Sequence, residues 1–228
     1  MQLKARSSRP AALRAFEVIV FDFDGVVIDS ADDLVDAVQH SLHAVGSKDP
    51  GYWAIRRQIG IGARQLLLQS MDVEKRHRID NAMEVFREYY TQNCVNHTVL
   101  YPGVEEMLAL CHQSKYVALA TFKIRTATER ILTSLNVMQH FDVIVTADDV
   151  VRPKPDPESI QTILNNLHCE ADATLLVGDT PTDIQTGRNA GTAICAVTYG
   201  MGTRDCLQDD RPDFLIDDIR ELREILTV

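Results

Sequence analysis

The sequence predicts an α/β fold, a Rossmann-like parallel sheet with helices on both faces, interrupted by an all-helical insertion. Three observations carry this. Glu17-Val18-Ile19-Val20 is a short β-branched run of the kind buried on both faces of a sheet. Residues from about 30 to 98 show helical spacing and no strand signal. Beyond Tyr101-Pro102-Gly103, short apolar strands alternate with amphipathic helices. The first strand resembles the later ones in character, so the helical stretch is an insertion between strands one and two. The expected organisation is a core of residues 16–29 and 99–228 with a helical cap at 30–98. Residues 1–15 carry Lys4, Arg6, Arg9 and Arg14 with no acid, and read as a disordered N-terminal extension.

Taken in order, Ala31, Leu34, Val35, Val38, Leu42 and Val45 recur at helical spacing, and Gly46 closes that helix. Asp49-Pro50-Gly51 is a turn. Gly60-Ile61-Gly62-Ala63-Arg64 leads into a helix at 65–71, and a long helix is expected from about Val73 to Asn93. As a dinucleotide fingerprint the glycine pair is weak, because a third glycine and a preceding strand are missing. In the second half, strands are expected at 116–121, 141–145, 174–178 and 192–197. The helices between them fall at 104–113, 125–136, 157–168 and 182–190. Phe214-Leu215-Ile216 adds an edge strand before a last helix.

The formal net charge of −10 over 228 residues argues against nucleic acid as a partner, since phosphate backbones need a basic surface. An anionic substrate must then be held by a local positive site against the overall field. No run approaches the roughly 18 apolar residues of a membrane span. Five scattered cysteines without a Cys-x-x-Cys pair indicate free thiols in a reducing compartment, hence a cytoplasmic protein. The sequence sets no oligomeric state.

In parallel sheets, ligands bind beyond the carboxyl ends of the strands. Here those ends deliver Asp22 and Asp24, then Thr121-Phe122-Lys123, then Lys154 between Pro153 and Pro155, then Asp179 and Asp183. Asp22 and Asp24, at i and i+2 in an extended chain, project to one side and repel unless a cation or proton intervenes. Gly25 lets the backbone turn there and expose its amides. Carboxylates without histidine or cysteine suit a hard cation such as Mg²⁺. Lys154, the Thr121 hydroxyl and bare amides suit a phosphoryl group. Asp22 is then the candidate nucleophile and Asp24 the candidate acid and base. Arg64, at a glycine-rich helix start, is a candidate for pairing with a substrate carboxylate.

In order and spacing, Asp22-Phe-Asp24-Gly-Val26, Thr121, Lys154 and Gly178-Asp179-x-x-x-Asp183 resemble the four motifs of the haloacid dehalogenase-like hydrolase superfamily. The likeness runs from about Val18 onward. It is greatest to the bacterial phosphoglycolate phosphatase branch, through Ile59-Gly60-Ile61-Gly62-Ala63-Arg64, Arg152-Pro153-Lys154-Pro155 and Thr198-Tyr199-Gly200-Met201-Gly202. The resemblance implies a Mg²⁺-dependent phosphomonoesterase acting on a small phosphorylated metabolite through an aspartyl phosphate. It implies Mg²⁺ held by Asp22, the Asp24 backbone carbonyl and Asp179, with Asp183 acting through water or by orienting Lys154. Dehalogenases of the superfamily lack the second acid, so Asp24 argues against that chemistry. Two positions depart from the pattern. Phe122 stands where relatives often carry a small polar residue. Val26 stands where phosphatases often have Thr, which leaves a sugar phosphomutase as the alternative. A signalling receiver domain gathers similar residues, but in another order and in a shorter chain.

Overall fold

The computed structural model describes residues 16–226; the extension expected at 1–15 lies outside them. Strand β1 (Val18–Phe21) is followed by the short β2 (Ile28–Asp29). Four helices come next: α1 (Ala31–Ala44), α2 (Tyr52–Arg56), α3 (Ala63–Ser70) and α4 (Ile79–Asn93). The chain returns through β3 (Val99–Leu100) to α5 (Val104–His112), β4 (Tyr116–Ala120), α6 (Arg125–Ser134), β5 (Val143–Val145) and α7 (Glu158–Leu167). It ends with β6 (Thr174–Gly178), α8 (Pro181–Ala190), β7 (Ala193–Val197), α9 (Arg204–Asp209), β8 (Phe214–Ile216) and α10 (Leu222–Leu226).

Six of these strands form one parallel sheet in the order β5-β4-β1-β6-β7-β8. The chain winds outward in both directions from β1, so the strand order reverses at β1. That reversal opens the crevice beyond the strand ends where α/β proteins bind ligands. Alternation along β1 sends Ile19 and Phe21 to one face, among Met107, Leu108 and Ile131 of α5 and α6. Val18 and Val20 go to the other face, among Ile160, Ile163 and Leu164 of α7. With both faces covered, all four residues of β1 are buried.

The helical insertion is present, with one difference in detail. Residues 73–78 form a 3₁₀ segment, and the α-helix begins only at Ile79. No residue of that segment is buried, so it lacks the apolar face that would hold a regular α-helix in place. From Ile79 onward, Ala82, Met83, Phe86 and Tyr90 form a buried stripe.

Two connections join the insertion to the sheet, and they pair with each other. Ile28 and Asp29 lie antiparallel to Leu100 and Val99, a two-residue ribbon too short to show in the sequence pattern. Beside it, the buried carboxylate of Asp33 accepts bonds from the backbone N–H groups of His97 and Thr98 at 3.0 Å, and from the Thr98 hydroxyl at 2.7 Å. Removing that carboxylate strands three donors, the two on Thr98 buried. Asp33→Ala is expected to cost roughly 2–4 kcal/mol in urea unfolding. A loss under about 1 kcal/mol would show that this clamp does not hold the connections.

Candidate active site

The loop after β1 folds back tightly. The Phe23 carbonyl accepts from the N–H groups of Val27 and Ile28 at 3.0 Å, and the Gly25 N–H donates to the Ile28 carbonyl at 2.9 Å. Gly25 sits at φ +90°, and a Cβ there would fall 2.0 Å from Asp179 Oδ2. Glycine is therefore required twice, by its backbone angle and by the carboxylate packed against it. The same loop orients both acids at the end of the central strand.

Asp22 faces a lysine. Lys154 arrives from the loop between β5 and α7, and its Nζ lies 2.8 Å from Asp22 Oδ1 and 2.8 Å from Asp183 Oδ1. Asp183 is itself fixed by a capping box at the start of α8, where its other oxygen accepts from the Thr180 hydroxyl at 2.6 Å. Gly178 permits this, since a Cβ there would meet Asp183 Cβ at 2.3 Å. Asp179, fully buried, accepts one bond from the Met201 N–H at 2.6 Å, while its Oδ1 has no partner within the protein.

Asp22, Asp179 and Asp183 bring carboxylate oxygens within 4.8 Å of one another. Three buried acids thus share the single charge of Lys154. Burial pushes the Asp22 carboxyl up to about 7; Lys154 pulls it down and Asp183 adds to the rise. Burial likewise holds Asp179 well above the carboxylate range, with Asp183 and Asp22 adding to the effect. For Lys154 burial opposes the charge, but Asp183 and Asp22 outweigh it and raise its pKa. Crowded acids, an orphaned Asp179 oxygen and an all-oxygen donor set fit a hard divalent cation.

Asp24 is held separately. Its Oδ1 lies 2.9 Å from Lys123 Nζ and also accepts a bond from the Ser30 hydroxyl at the start of α1. Lys123 is buried and also bonds the phenolic oxygen of Tyr90 on α4. Thr121 is buried at the end of β4, its Oγ1 accepting from the Lys123 N–H at 3.1 Å.

These groups open onto a cavity of about 380 Å³ lined by Asp22, Asp24, Thr121, Lys123 and Asp183, and by residues of all the helical insertion's larger elements. Phe122 forms part of its wall, with Lys154 Nζ 5.7 Å from the ring centre. Arg64 reaches the mouth but is paired there with the exposed Asp80 at 2.8 Å. Val26 is completely buried and is absent from the cavity wall.

Two parts of the site carry no role assigned from sequence: Gly200 and Met201 enter there only within a stretch that resembles the family, and Tyr90 does not enter at all. Gly200 and Met201, in the loop after β7, close over Asp179, and a Cβ at Gly200 would lie 2.3 Å from its Oδ2. Glycines just past a strand's carboxyl end are the signal that marks them. Tyr90 gives no such signal, because at helical spacing with Met83 and Phe86 it reads as core.

Residues 19–197 match the haloacid dehalogenase-like hydrolase family, and the chain belongs to it. A phosphoglycolate phosphatase of Aquifex aeolicus is 34% identical over 200 residues, covering 87% of this chain and 91% of that protein. One of Vibrio parahaemolyticus is 30% identical over 220 residues, covering 93% and 96%. The crystal structure of a predicted phosphoglycolate phosphatase from Haemophilus somnus 129PT superposes with a TM-score of 0.83. It is 25% identical, and the match covers 93% of this chain and 99% of that one. Within the family the chain lies on the phosphoglycolate phosphatase-like branch.

The raised carboxyls have a consequence for pH. Without metal, the folded protein retains a proton on Asp22 between the ordinary value of 3.8 and about 7, where the unfolded chain has lost it. Stability contributed by that proton is lost as pH rises through this window. Asp22→Asn has no such proton to lose. In EDTA its melting temperature is expected to gain on wild type from about pH 5 to about pH 7.5, and excess divalent cation is expected to shrink the gain. A gap that narrows with rising pH in EDTA would contradict the assigned charge balance.

Proposed function

We propose that this phosphoric monoester hydrolase cleaves small phosphorylated metabolites of the 2-phosphoglycolate type, using Mg²⁺ and an aspartyl-phosphate intermediate. One observation carries the reading. Two carboxylates of the same loop face one cavity, each on its own buried lysine, Asp22 on Lys154 and Asp24 on Lys123. That separation gives two acids of similar chemistry two different tasks.

An Asp22 oxygen attacks phosphorus, and the bond from phosphorus to the ester oxygen breaks. Asp24 gives its proton to the departing oxygen. Water then attacks the phosphorus of the aspartyl phosphate, Asp24 takes the water's proton, and the bond to Asp22 breaks to release inorganic phosphate. Lys154 and the Thr121 hydroxyl bind the phosphoryl oxygens as charge builds on them. Asp22, Asp179 and the Asp24 backbone carbonyl would hold Mg²⁺, with Asp183 orienting Lys154; the ion supplies charge neutralisation for the phosphoryl group. Helices α1–α4 serve as a cap at 30–98 that excludes water and meets the leaving group. No described helix is long and apolar enough to cross a membrane. Free thiols, three of them buried, suit the reducing cytoplasm.

The test is phosphate release from a panel of small phosphorylated metabolites with Mg²⁺ present. Asp22→Asn is expected to abolish turnover with the fold intact. Asp24→Asn is expected to lower kcat by about 10²–10⁴-fold while leaving Mg²⁺ affinity near wild type. Wild-type turnover by folded Asp22→Asn protein, or activity that survives exhaustive chelation, would sink the mechanism.

A further inference from the structure

The cavity's lining falls into two chemically distinct sets. Its floor is ionic. Above that, Leu34, Ile59, Ile61, Leu66, Met83 and Phe86 present apolar side chains from α1, the α2–α3 connection, α3 and α4. All but Ile61 are buried. Phe122 adds an aromatic wall from the sheet side. At about 380 Å³, the space lies within the roughly 300–1,000 Å³ range of pockets that enclose a whole small molecule. A two-carbon leaving group would leave most of this apolar surface in contact with water.

Charge returns only at the exposed rim, with Arg64 and Arg87. The two arginines differ. Arg64 is paired with Asp80, so a substrate anion would have to displace that carboxylate. Arg87 lies one helical turn beyond Met83 on the cavity face of α4, and no acid of the described residues pairs with it. A guanidinium on a cavity rim in a chain of net charge −10, with no carboxylate neutralising it, is a local attractor for an anion.

We infer that the preferred leaving group has an apolar body, packed against Leu34, Leu66, Met83 and Phe86, and a distal carboxylate that pairs with Arg87. The inference rests on the proposed phosphatase reading, and it replaces 2-phosphoglycolate itself with longer carboxylated phosphomonoesters as the preferred substrates. It also moves the carboxylate contact from Arg64 to Arg87.

Primary alkyl phosphates of increasing length test the apolar wall, because lengthening the chain barely changes the leaving-group chemistry. From ethyl to hexyl, kcat/KM is expected to rise roughly two- to fourfold per methylene. Calorimetric titration of the Mg²⁺-loaded protein with the matching alkyl phosphonates, which cannot be hydrolysed, is expected to show Kd falling by similar steps. A flat or declining series in both measurements would overturn the apolar subsite. For the anion, Arg87→Gln is expected to reduce kcat/KM for a 6-phosphooxyhexanoate at least tenfold more than for hexyl phosphate, with Arg64→Gln showing no such preference. Equal losses on the two esters, or a preference seen only in Arg64→Gln, would overturn the role of Arg87. Should no phosphomonoester be hydrolysed, the phosphatase reading fails, and the phosphonate titrations alone decide the subsite.

Discussion

The constraint that organises this molecule is the crowding of Asp22, Asp179 and Asp183 around one lysine. Three carboxylates with oxygens within 4.8 Å cannot all be charged and buried beside a single ammonium without a large penalty. The fold holds them there by closing every alternative. β1 and β6 are adjacent, parallel and buried, so Asp22 and Asp179 leave the sheet side by side. Gly25, Gly178 and Gly200 remove the three Cβ atoms that would otherwise occupy the space of the carboxylates. The capping box of α8 holds Asp183 against Lys154. The orphaned Asp179 oxygen is where this arrangement remains unsatisfied. A buried acceptor without a protein partner calls for an explanation, and beside two further carboxylates a bound cation supplies one.

A second buried lysine separates the two halves of the chemistry. Lys154 belongs wholly to the sheet side, between Asp22 and Asp183. Lys123 bridges, with Asp24 on one side and Tyr90 of α4 on the other. Ser30, at the start of α1, bonds Asp24 as well. Asp24 is thereby tied to the helical insertion at two points, whereas the side-chain bonds of Asp22 run to Lys154 on the sheet side. Under the proposed mechanism, the acid assigned to the leaving oxygen is the one connected to the elements around the rest of the cavity.

Much of this was legible in the sequence, because the signals were strong where burial is two-sided. The strand at 174–178 falls where its unbroken apolar run places it, and the acids and lysine sit at the strand ends that parallel-sheet geometry dictates. The site's ionic floor followed from residue type and order. Short elements were not legible: β2 and β3 are two residues each, below any periodicity, and exist because the two connections run side by side. The long helix expected from about Val73 begins only at Ile79, because residues 73–78 have no buried face to enforce α-helical geometry. Arg64 illustrates a different limit. Its position at the cavity was readable from the glycines before it, but its pairing with Asp80, sixteen residues on, depends on how α3 and α4 pack.

The same packing explains why the apolar wall and the charged floor coexist without mutual cost. Met83, Phe86 and Tyr90 lie on one stripe of α4, and that stripe meets α1 within the insertion while also facing the cavity. At its far end the stripe changes from hydrocarbon to phenol, and the Tyr90 hydroxyl bonds Lys123. The ring of Tyr90 also lies 4.5 Å from the lysine nitrogen, so the ammonium is met by a π face and an oxygen, not by bare aliphatic surface. Phe122 repeats this device for Lys154 on the opposite wall, at 5.7 Å. Aromatic rings are side chains that can border both a buried cation and apolar surface. Tyr90 and Phe122 both line the cavity beside its ionic groups, so rings stand where the charged and apolar parts of the lining meet. A polar residue at position 122 would extend the polar part of the lining. Phenylalanine ends it there.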